Sequence, residues 1–415
     1  MPTAPRTRFV SPLRSFLKAE TTGAVLIVIG AIVALVWANS PWSGSYEALW
    51  NSRLAITIAG HSLDMDLHHW VNDGLMVLFF FVVGLEIKRE FVSGHLSNRR
   101  AAALPVIGAL GGVIMPALLF LVIAGRSYSE GWAIPVATDI ALAVGVLSVV
   151  ARSVPSGLRS FLLGLAIVDD IIGILIIAIA FSDDLQLWWL LGAVGAIAGI
   201  RVLQLMNVMS VAPYVVPGAL LWFSLHEAGI HATLAGVVVG LMTPMVPIRQ
   251  GRYVDVEEVP EALNQPEAAA SLGEGSVSVI EYLEHKLHPL SSFVVVPVFA
   301  LANSGIELSA EQFENALTSS LMWAIVVGLV IGKPLGVFVA VALARRAKLA
   351  EVPEGTSARH LVGVGSAAGI GFTVALFIAE LAIDDADDLG VAKLAILVAS
   401  AVSAVTSLAI LRRRA

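Results

Sequence analysis

The sequence predicts an all-α integral membrane protein with about twelve transmembrane helices. Of its 415 residues, 57% are hydrophobic and only 14% are charged, whereas soluble domains carry about 25% charged residues. The apolar residues also stand in continuous runs long enough to span a membrane, and they do not alternate with polar residues as in a membrane β-barrel. This composition argues against an ordinary soluble enzyme, a disordered chain and a coiled coil.

Twelve apolar runs are each expected to form one helix, because lipid offers no hydrogen-bond partner to an unpaired backbone group. Residues 1–415 are therefore expected to form a single transmembrane domain. The seventh and ninth runs are short for a span. The runs occupy residues 21–38, 69–87, 101–124, 131–151, 158–181, 185–205, 211–225, 228–246, 290–305, 318–344, 358–383 and 390–411.

The distribution of Lys and Arg predicts the orientation. With twelve spans both termini lie on one side of the membrane, and most of the 25 cationic residues fall on that side. Only Arg53, Arg126 and Lys393 fall on the other side, and Lys333 lies inside a span. Because cytoplasmic loops are enriched in Lys and Arg, both termini are expected in the cytoplasm. Cations scattered at the ends of apolar runs argue against nucleic acid as a partner.

Three stretches outside the spans stand out. In the longest outer loop, 39–68, two short apolar stretches flank a turn and indicate a small β-hairpin. The cytoplasmic loop 247–289 is rich in Glu, Pro and Ala, and its end has helical apolar spacing. The last outer loop, 384–388, is acidic and is expected to be a solvated turn.

The fifth span carries two adjacent carboxylates, Asp169 and Asp170, near its middle. A charge at a helix centre costs roughly 2.5–3.5 kcal/mol on insertion scales. These residues must therefore face a cavity, bind a cation, hold a proton or pair with a base. A pair that only binds helices together is the plainer alternative, but a single Asn would do this at lower cost.

Lys333 lies near the middle of the tenth span, too deep for its ammonium to reach the membrane surface easily. We therefore predict that it pairs with one of the intramembrane carboxylates. Weaker candidates are Asp73 and Glu86 near the ends of the second span, His231, and Glu380, which is expected to reach the outer interface.

Two spans are predicted to be interrupted. In the fourth span, Pro135 removes a helical N–H, and Thr138 and Asp139 follow within one turn. The eleventh span has four glycines within nine residues, including Gly369 and Gly371. A proline kink and close packing of small residues are the alternatives. Each span is the middle of a three-span unit, and the two units run in opposite senses, which predicts inverted repeats whose interrupted helices cross at the midplane.

Carboxylate oxygens suit a small hard cation, and they also bind protons. The chain has no cysteine, so neither a disulfide nor a thiolate site is available. Such a site can exchange a proton for Na⁺ or Li⁺ without a covalent step, which predicts a transporter without a cofactor rather than an enzyme. The nearest alternative is a proton-coupled carrier of a small organic solute, which needs a wider polar cavity. A retinal-binding pump and a non-transporting scaffold fit less well.

Several ordered segments resemble the NhaA family of bacterial sodium/proton antiporters, over about residues 15–411. They include the sequences around Pro135–Asp139, Val168–Asp170 and Gly369–Thr373. The remaining matching segments are Phe81–Glu90, Gly229–Gly236 and Ile331–Gly336.

The resemblance implies an electrogenic sodium or lithium/proton antiporter of the bacterial inner membrane that serves pH and sodium homeostasis. It implies that Asp169 and Asp170 bind the ion and protons, that Asp139 and Thr138 assist them, and that Lys333 pairs with Asp169. Asp73 is expected near the ion route, and the outer hairpin is expected to form a homodimer contact. The residues expected to respond to pH are Glu86, Arg89, Glu284, His285 and His288.

Three features depart from the family pattern. The loop before Glu284 is longer, Ala375 stands where a Ser can occur, and Glu380 has no expected acidic counterpart. These departures bear on the response to pH more than on transport.

Overall fold

The computed structural model describes residues 12–58, 61–150, 154–182, 185–206, 208, 211–244, 247–249, 252–253 and 277–412. The predicted all-α membrane architecture is confirmed, and within these ranges the strands are short and lie in two loops. The cations at Arg6, Arg8, Arg413 and Arg414, and most of the loop 247–289, lie outside the described residues.

Fifteen helical elements follow one another along the described chain, and three of them contain a π-helical turn, at Trp70–Leu75, Ser291–Val295 and Gly328–Gly332. A 3₁₀ segment, Ser129–Val136, precedes the fifth helix. The helices are α1 Pro12–Ala38, α2 Ser43–Trp50, α3 Leu67–Val92, α4 Arg99–Ala124, α5 Ile140–Val149, α6 Ser156–Ala180, α7 Leu187–Leu205, α8 Ala212–Glu227, α9 Leu234–Met242, α10 Val279–Asn303, α11 Ala310–Thr318, α12 Ser320–Arg346, α13 Ala358–Ala368, α14 Phe372–Ala382 and α15 Ala386–Arg412.

The predicted count of twelve spans is met only in part. Within the described ranges, nine helical segments are long and apolar enough to cross a membrane, and the pair α13 and α14, bent by 50°, adds a tenth. The seventh and eighth runs correspond to α8, with 16 residues, and α9, with 9 residues. Gly229 adopts a φ of 77° between them, so the chain turns there and α9 starts late.

Two boundaries differ from the sequence prediction. The end of the cytoplasmic loop and the ninth span form one continuous helix, α10, because the π-helical turn after Pro289 accommodates the missing N–H. The acidic loop is only partly a turn, since Asp387 and Asp388 already belong to the first turn of α15. Asp385 Oδ1 accepts hydrogen bonds from both of their backbone N–H groups, at 3.0 Å each.

The outer loop forms an antiparallel hairpin of β1, Arg53–Ile58, and β2, His61–Asp66. Asp66 then caps α3 by accepting a hydrogen bond from His69 N at 2.8 Å. Although partial burial opposes the shift, the hydrogen bonds from His69 lower the pKa of Asp66. Three short strands also pair next to α10, namely β3 Pro247–Arg249, β4 Arg252–Tyr253 and β5 Val277–Ser278.

The helix α2 is anchored to the bundle by Tyr46, whose hydroxyl contacts the carbonyls of Leu301 at 2.8 Å and Ala302 at 2.9 Å. Burial raises the pKa of Tyr46 to about 12, so the hydroxyl remains a neutral donor at physiological pH. The helix is thereby held against the end of α10.

The helices α4 and α12 pack tightly against each other between the two interrupted spans. A Cβ atom on Gly332 would lie 2.8 Å from Pro116 Cα, closer than side chains tolerate. Small residues at this contact allow the two backbones to approach each other, as is usual where helices pack in membranes. This close packing fixes the position of Lys333, which follows Gly332 directly.

Candidate ion-binding site

The two interrupted spans cross each other, as the sequence predicts. The fourth span is a 3₁₀ segment up to Val136, extended through Asp139, and helical again in α5. The eleventh span is broken between α13 and α14. At the crossing, Asp139 N donates to Ile370 O at 2.6 Å, and Thr138 Oγ1 donates to Ala368 O at 2.7 Å. The backbone groups freed by each break are thus paired with the other span.

Asp139 places its carboxylate at the N-terminal ends of two helices. Its Oδ1 accepts a hydrogen bond from Leu142 N of α5 at 3.0 Å. Its Oδ2 accepts from the N–H and the hydroxyl of Thr373, in the first turn of α14, at 3.2 and 2.6 Å. Helix N-termini carry partial positive charge, so one carboxylate neutralises both of them.

Lys333 and Asp169 form a buried ion pair. Lys333 Nζ lies 2.7 Å from Asp169 Oδ2 and 2.9 Å from Oδ1, and both side chains are almost completely shielded from solvent. The ammonium also donates to Val136 O, at the C-terminal end of the 3₁₀ segment. A cation is favourable there, because carbonyls that end a helix carry partial negative charge.

Asp170 has a different environment from its neighbour. Consecutive residues of α6 point about 100° apart, so Asp169 faces Lys333 while Asp170 faces a cavity. This cavity has a volume of about 60 Å³. Its polar lining residues are Glu86, Thr138, Asp139, Asp170, His288, Ser291, Ser292 and Thr373.

The cavity suits a small cation that is partly hydrated. Carboxylate and hydroxyl oxygens are hard ligands, as alkali cations require. The volume leaves room for a few waters, whereas organic ligands generally occupy pockets of about 300–1,000 Å³. Within the described part of the chain no three His, Asp or Glu side chains form a metal-ligand set. A cation bound here would therefore complete its shell with hydroxyl groups, carbonyls or water.

The residues proposed to respond to pH lie in three different places. Arg89 Nη1 lies 2.6 Å from Glu284 Oε1, in an ion pair that joins α3 to α10. Glu86 and His288 instead line the cavity itself. His285 is exposed and is not among the cavity residues.

Asp73 lies on the π-helical turn of α3 and is not among the residues that line the cavity. Its carbonyl accepts a hydrogen bond from Trp222 Nε1 at 2.8 Å. Trp222 stacks between Trp70 and His226, with ring centroids 6.2 and 5.8 Å apart. The structure thus places Asp73 in a separate aromatic environment and does not bring it to the Asp pair.

A layer of three phenylalanines lies one helical turn beyond Thr373 along α14. Phe377 of α14 packs against Phe80 of α3 and Phe299 of α10, with centroid distances of 5.4 and 6.3 Å. All three side chains are buried. Thr373 lies one turn before Phe377 on the same face of α14, so the phenylalanine layer begins directly beyond the site.

Two contacts in this region are not evident from the sequence. Thr373 binds the key carboxylate Asp139, and its only signal in the sequence is that it follows the glycine-rich break. Glu380, expected to reach the outer interface, lies near the C-terminal end of α14, and its Oε1 is 2.5 Å from Lys393 Nζ. A carboxylate near the end of a span can either face water or pair with a residue of a neighbouring helix, and the sequence does not show which.

The crossed interrupted helices, the buried carboxylates and the small cavity define a membrane transporter for a small cation. The family model for Na⁺/H⁺ antiporter 1 matches residues 14–411. The chain therefore belongs to this family of sodium/proton antiporters, and the resemblance found in its sequence is confirmed.

Curated relatives match over nearly the full length. The chain is 43% identical to "Na(+)/H(+) antiporter NhaA 3" of Frankia alni, covering 96% of this chain and 88% of the relative. It is 42% identical to an NhaA antiporter of Rhodopirellula baltica, covering 99% and 96%. Among solved structures, the sodium proton antiporter MjNhaP1 of Methanocaldococcus jannaschii matches with a TM-score of 0.51 and 14% identity, over 96% of this chain and 97% of that one. This last likeness supports the fold.

Proposed function

We propose that this antiporter exports Na⁺ or Li⁺ from the cytoplasm in electrogenic exchange for external H⁺. Its roles would be pH and sodium homeostasis, and its location the bacterial inner membrane. The observation that carries the proposal is that Asp170 faces the cavity while its neighbour Asp169 is held by Lys333. Asp170 can thus bind an ion directly, whereas Asp169 can bind it only after the contact with Lys333 weakens.

In the proposed cycle, Na⁺ enters the cavity and displaces a proton from Asp170. The cation then attracts Asp169, which weakens the Asp169–Lys333 pair and allows the ammonium to lose a proton. Two protons leave for one Na⁺, so each turnover moves net charge. Reprotonation from the other side of the membrane restores the ion pair.

Asp139, Thr138 and Thr373 would assist without exchanging the ion themselves. Their hydrogen bonds hold the two interrupted spans against each other, so that the N-terminal ends of α5 and α14 face the same cavity. Thr138 also lines the cavity and could provide a hydroxyl ligand.

The proposed orientation places the cavity mouth, with Glu86 and His288, on the cytoplasmic side together with both termini. The support is the distribution of Lys and Arg along the sequence. The proposal includes a homodimer formed through the outer hairpin, and Na⁺, Li⁺ and H⁺ as the only small partners. Glu86, Arg89, Glu284, His285 and His288 are proposed to tune activity with pH. Transport needs neither a cofactor nor enzymatic chemistry.

Proteoliposomes with an internal pH dye test the exchange. Adding Na⁺ or Li⁺ should change the internal pH, and an imposed voltage should alter the rate. Asp170→Asn should abolish both the exchange and sodium binding, because an amide cannot trade a proton for a cation. Asp384→Asn, at an exposed outer position, is the matched control and should keep the parent's rate. Sodium-dependent pH change that persists in Asp170→Asn would overturn the shared site.

A further inference from the structure

A buried polar cluster lies beyond the phenylalanine layer, at the end of the bundle opposite the cavity mouth. Lys393 Nζ contacts Glu380 Oε1 at 2.5 Å, and His68 Nε2 lies 3.6 Å from the same oxygen. His68 Nε2 is also 3.0 Å from Asn303 Oδ1, and Asn303 Nδ2 donates to Asn72 Oδ1 at 2.9 Å. We call these five residues the outer cluster.

The outer cluster joins four helices at the outer end of the proposed transport path. Glu380 and Lys393 come from α14 and α15, which carry the interrupted eleventh span and the last span. His68 and Asn72 come from α3, and Asn303 ends α10. The same three helices α3, α10 and α14 each contribute one phenylalanine to the layer beneath. A movement of α14 away from α3 at this end would therefore separate Glu380 from His68.

The geometry makes Glu380 the central member. Thr373, Phe377 and Glu380 occupy one face of α14 at helical spacing, in the order site, barrier and cluster. The Glu380 side chain is only 14% exposed, so its contact with Lys393 is shielded from water. Lys393 neutralises the carboxylate and fixes its position, which leaves Glu380 aimed at His68.

We infer that Glu380, positioned by Lys393, is a latch that keeps the outer end of the transport path closed by engaging His68. The latch holds the path closed towards the outside while the cavity is open on the other side. Releasing it favours the conformation in which the outer end opens. The names of the two ends rest on the proposed orientation, whereas the coupling between latch and cavity does not.

Cysteine labelling tests the latch, because the chain has no cysteine of its own. Met76 is fully buried on α3, one turn from Phe80 on the side of Asn72. Met76→Cys therefore reports opening beyond the layer, and Ser292→Cys reports the cavity. Both are alkylated with a small maleimide in lipid nanodiscs, where both faces are accessible and no transport is needed.

Glu380→Gln should speed alkylation of the Met76→Cys reporter several-fold, because it replaces the carboxylate oxygen 3.6 Å from His68 Nε2 with an uncharged group. The Ser292→Cys reporter should react more slowly in the same background, because the two openings exclude each other. His68→Gln should act like Glu380→Gln, and the two together should add nothing. Asp384→Asn is the control for lost outer charge and should change neither reporter.

The proposal is overturned if Glu380→Gln leaves the Met76→Cys rate unchanged. It is also overturned if both reporters react faster, which indicates general loosening, or if the effects of Glu380→Gln and His68→Gln simply add. Should Glu380→Gln fail to fold, Glu380→Asp takes its place, because it keeps the charge but withdraws it by one methylene. It must also speed alkylation of Met76→Cys and slow alkylation of Ser292→Cys. Sodium binding by the parent is measured separately, so a failure of the proposed ion site is distinguishable.

Discussion

Lys333 and Asp169 are two buried charges in contact. The free energy needed to bury either charge explains why each requires the other. Removing an ion from water costs several kcal/mol, which the partner's charge offsets only when geometry is good. Here the ammonium contacts both carboxylate oxygens and a helix-end carbonyl. Each charge is therefore tolerated only because the other is present.

Lys333→Ala should lower the free energy of unfolding by about 3–5 kcal/mol, because it leaves Asp169 buried without compensation. The double variant Lys333→Met with Asp169→Leu should regain most of this loss, since no unpaired charge remains. Thermal unfolding of the purified variants measures both. Transport should be lost in both variants. A Lys333→Ala protein as stable as the parent would contradict the pairing.

At the residue scale, the sequence identified the groups whose burial is most expensive. Asp169, Asp170 and Lys333 lie at the centres of apolar runs, where charge without function is costly. Thr373 was missed because a hydroxyl in a helix has little cost and therefore gives little signal. The pairing of Glu380 with Lys393 was not predictable, because the two residues come from different spans and the sequence does not show which spans pack together.

At the element scale, the interruptions were predictable because their causes are local. Proline at 135 and glycines at 369 and 371 act on their own backbone. The shortness of α9 was not predictable from apolarity, since residues 228–233 are mostly apolar or small yet form a turn around Gly229. The continuity of α10 through Pro289 was also hidden, because a π-helical turn absorbs the missing hydrogen bond.

Gly332→Ala should destabilise the contact between α4 and α12. The added Cβ would lie 2.8 Å from Pro116 Cα, so two backbones must separate. We expect a loss of about 1–3 kcal/mol, as for overpacked cores, together with slower transport because Lys333 is the next residue. Thermal unfolding and proteoliposome exchange measure these effects.

The matched control is Gly195→Ala in α7, where an added Cβ meets nothing within 4 Å. Alanine favours a helix more than glycine does, so this variant should be as stable as the parent or slightly more stable. Equal unfolding temperatures for Gly332→Ala and Gly195→Ala would show that the close approach of α4 and α12 is not required.

At the scale of the whole molecule, we expect the cavity to connect pH to transport through His288, which lines it. An imidazole gains its positive charge as the pH falls below neutrality. Because His288 lines the cavity, its charge would repel an incoming cation. Activity should therefore rise from mildly acidic to alkaline pH. His288→Gln should shift that rise to lower pH, and by more than His285→Gln does, since His285 is exposed and does not line the cavity.

The competing explanation is direct competition between protons and sodium at Asp169 and Asp170, which also gives alkaline activation. Profiles recorded in proteoliposomes at saturating sodium separate the two explanations. If replacing both histidines by Gln leaves the profile unmoved, competition at the Asp pair is sufficient and the histidines are not sensors.

The phenylalanine layer has an electrical consequence. The polar groups of the cavity on one side and of the outer cluster on the other respond to an electric field more strongly than the aromatic layer between them. From Thr373 to Glu380 the helix rises only about 10 Å, compared with about 30 Å for the hydrocarbon core. The membrane potential therefore falls mainly across this thin dielectric. A charge that crosses this layer gains or loses about 2.3 kcal/mol per 100 mV. Because the layer spans only two turns of α14, an ion that moves this short distance crosses most of the membrane potential.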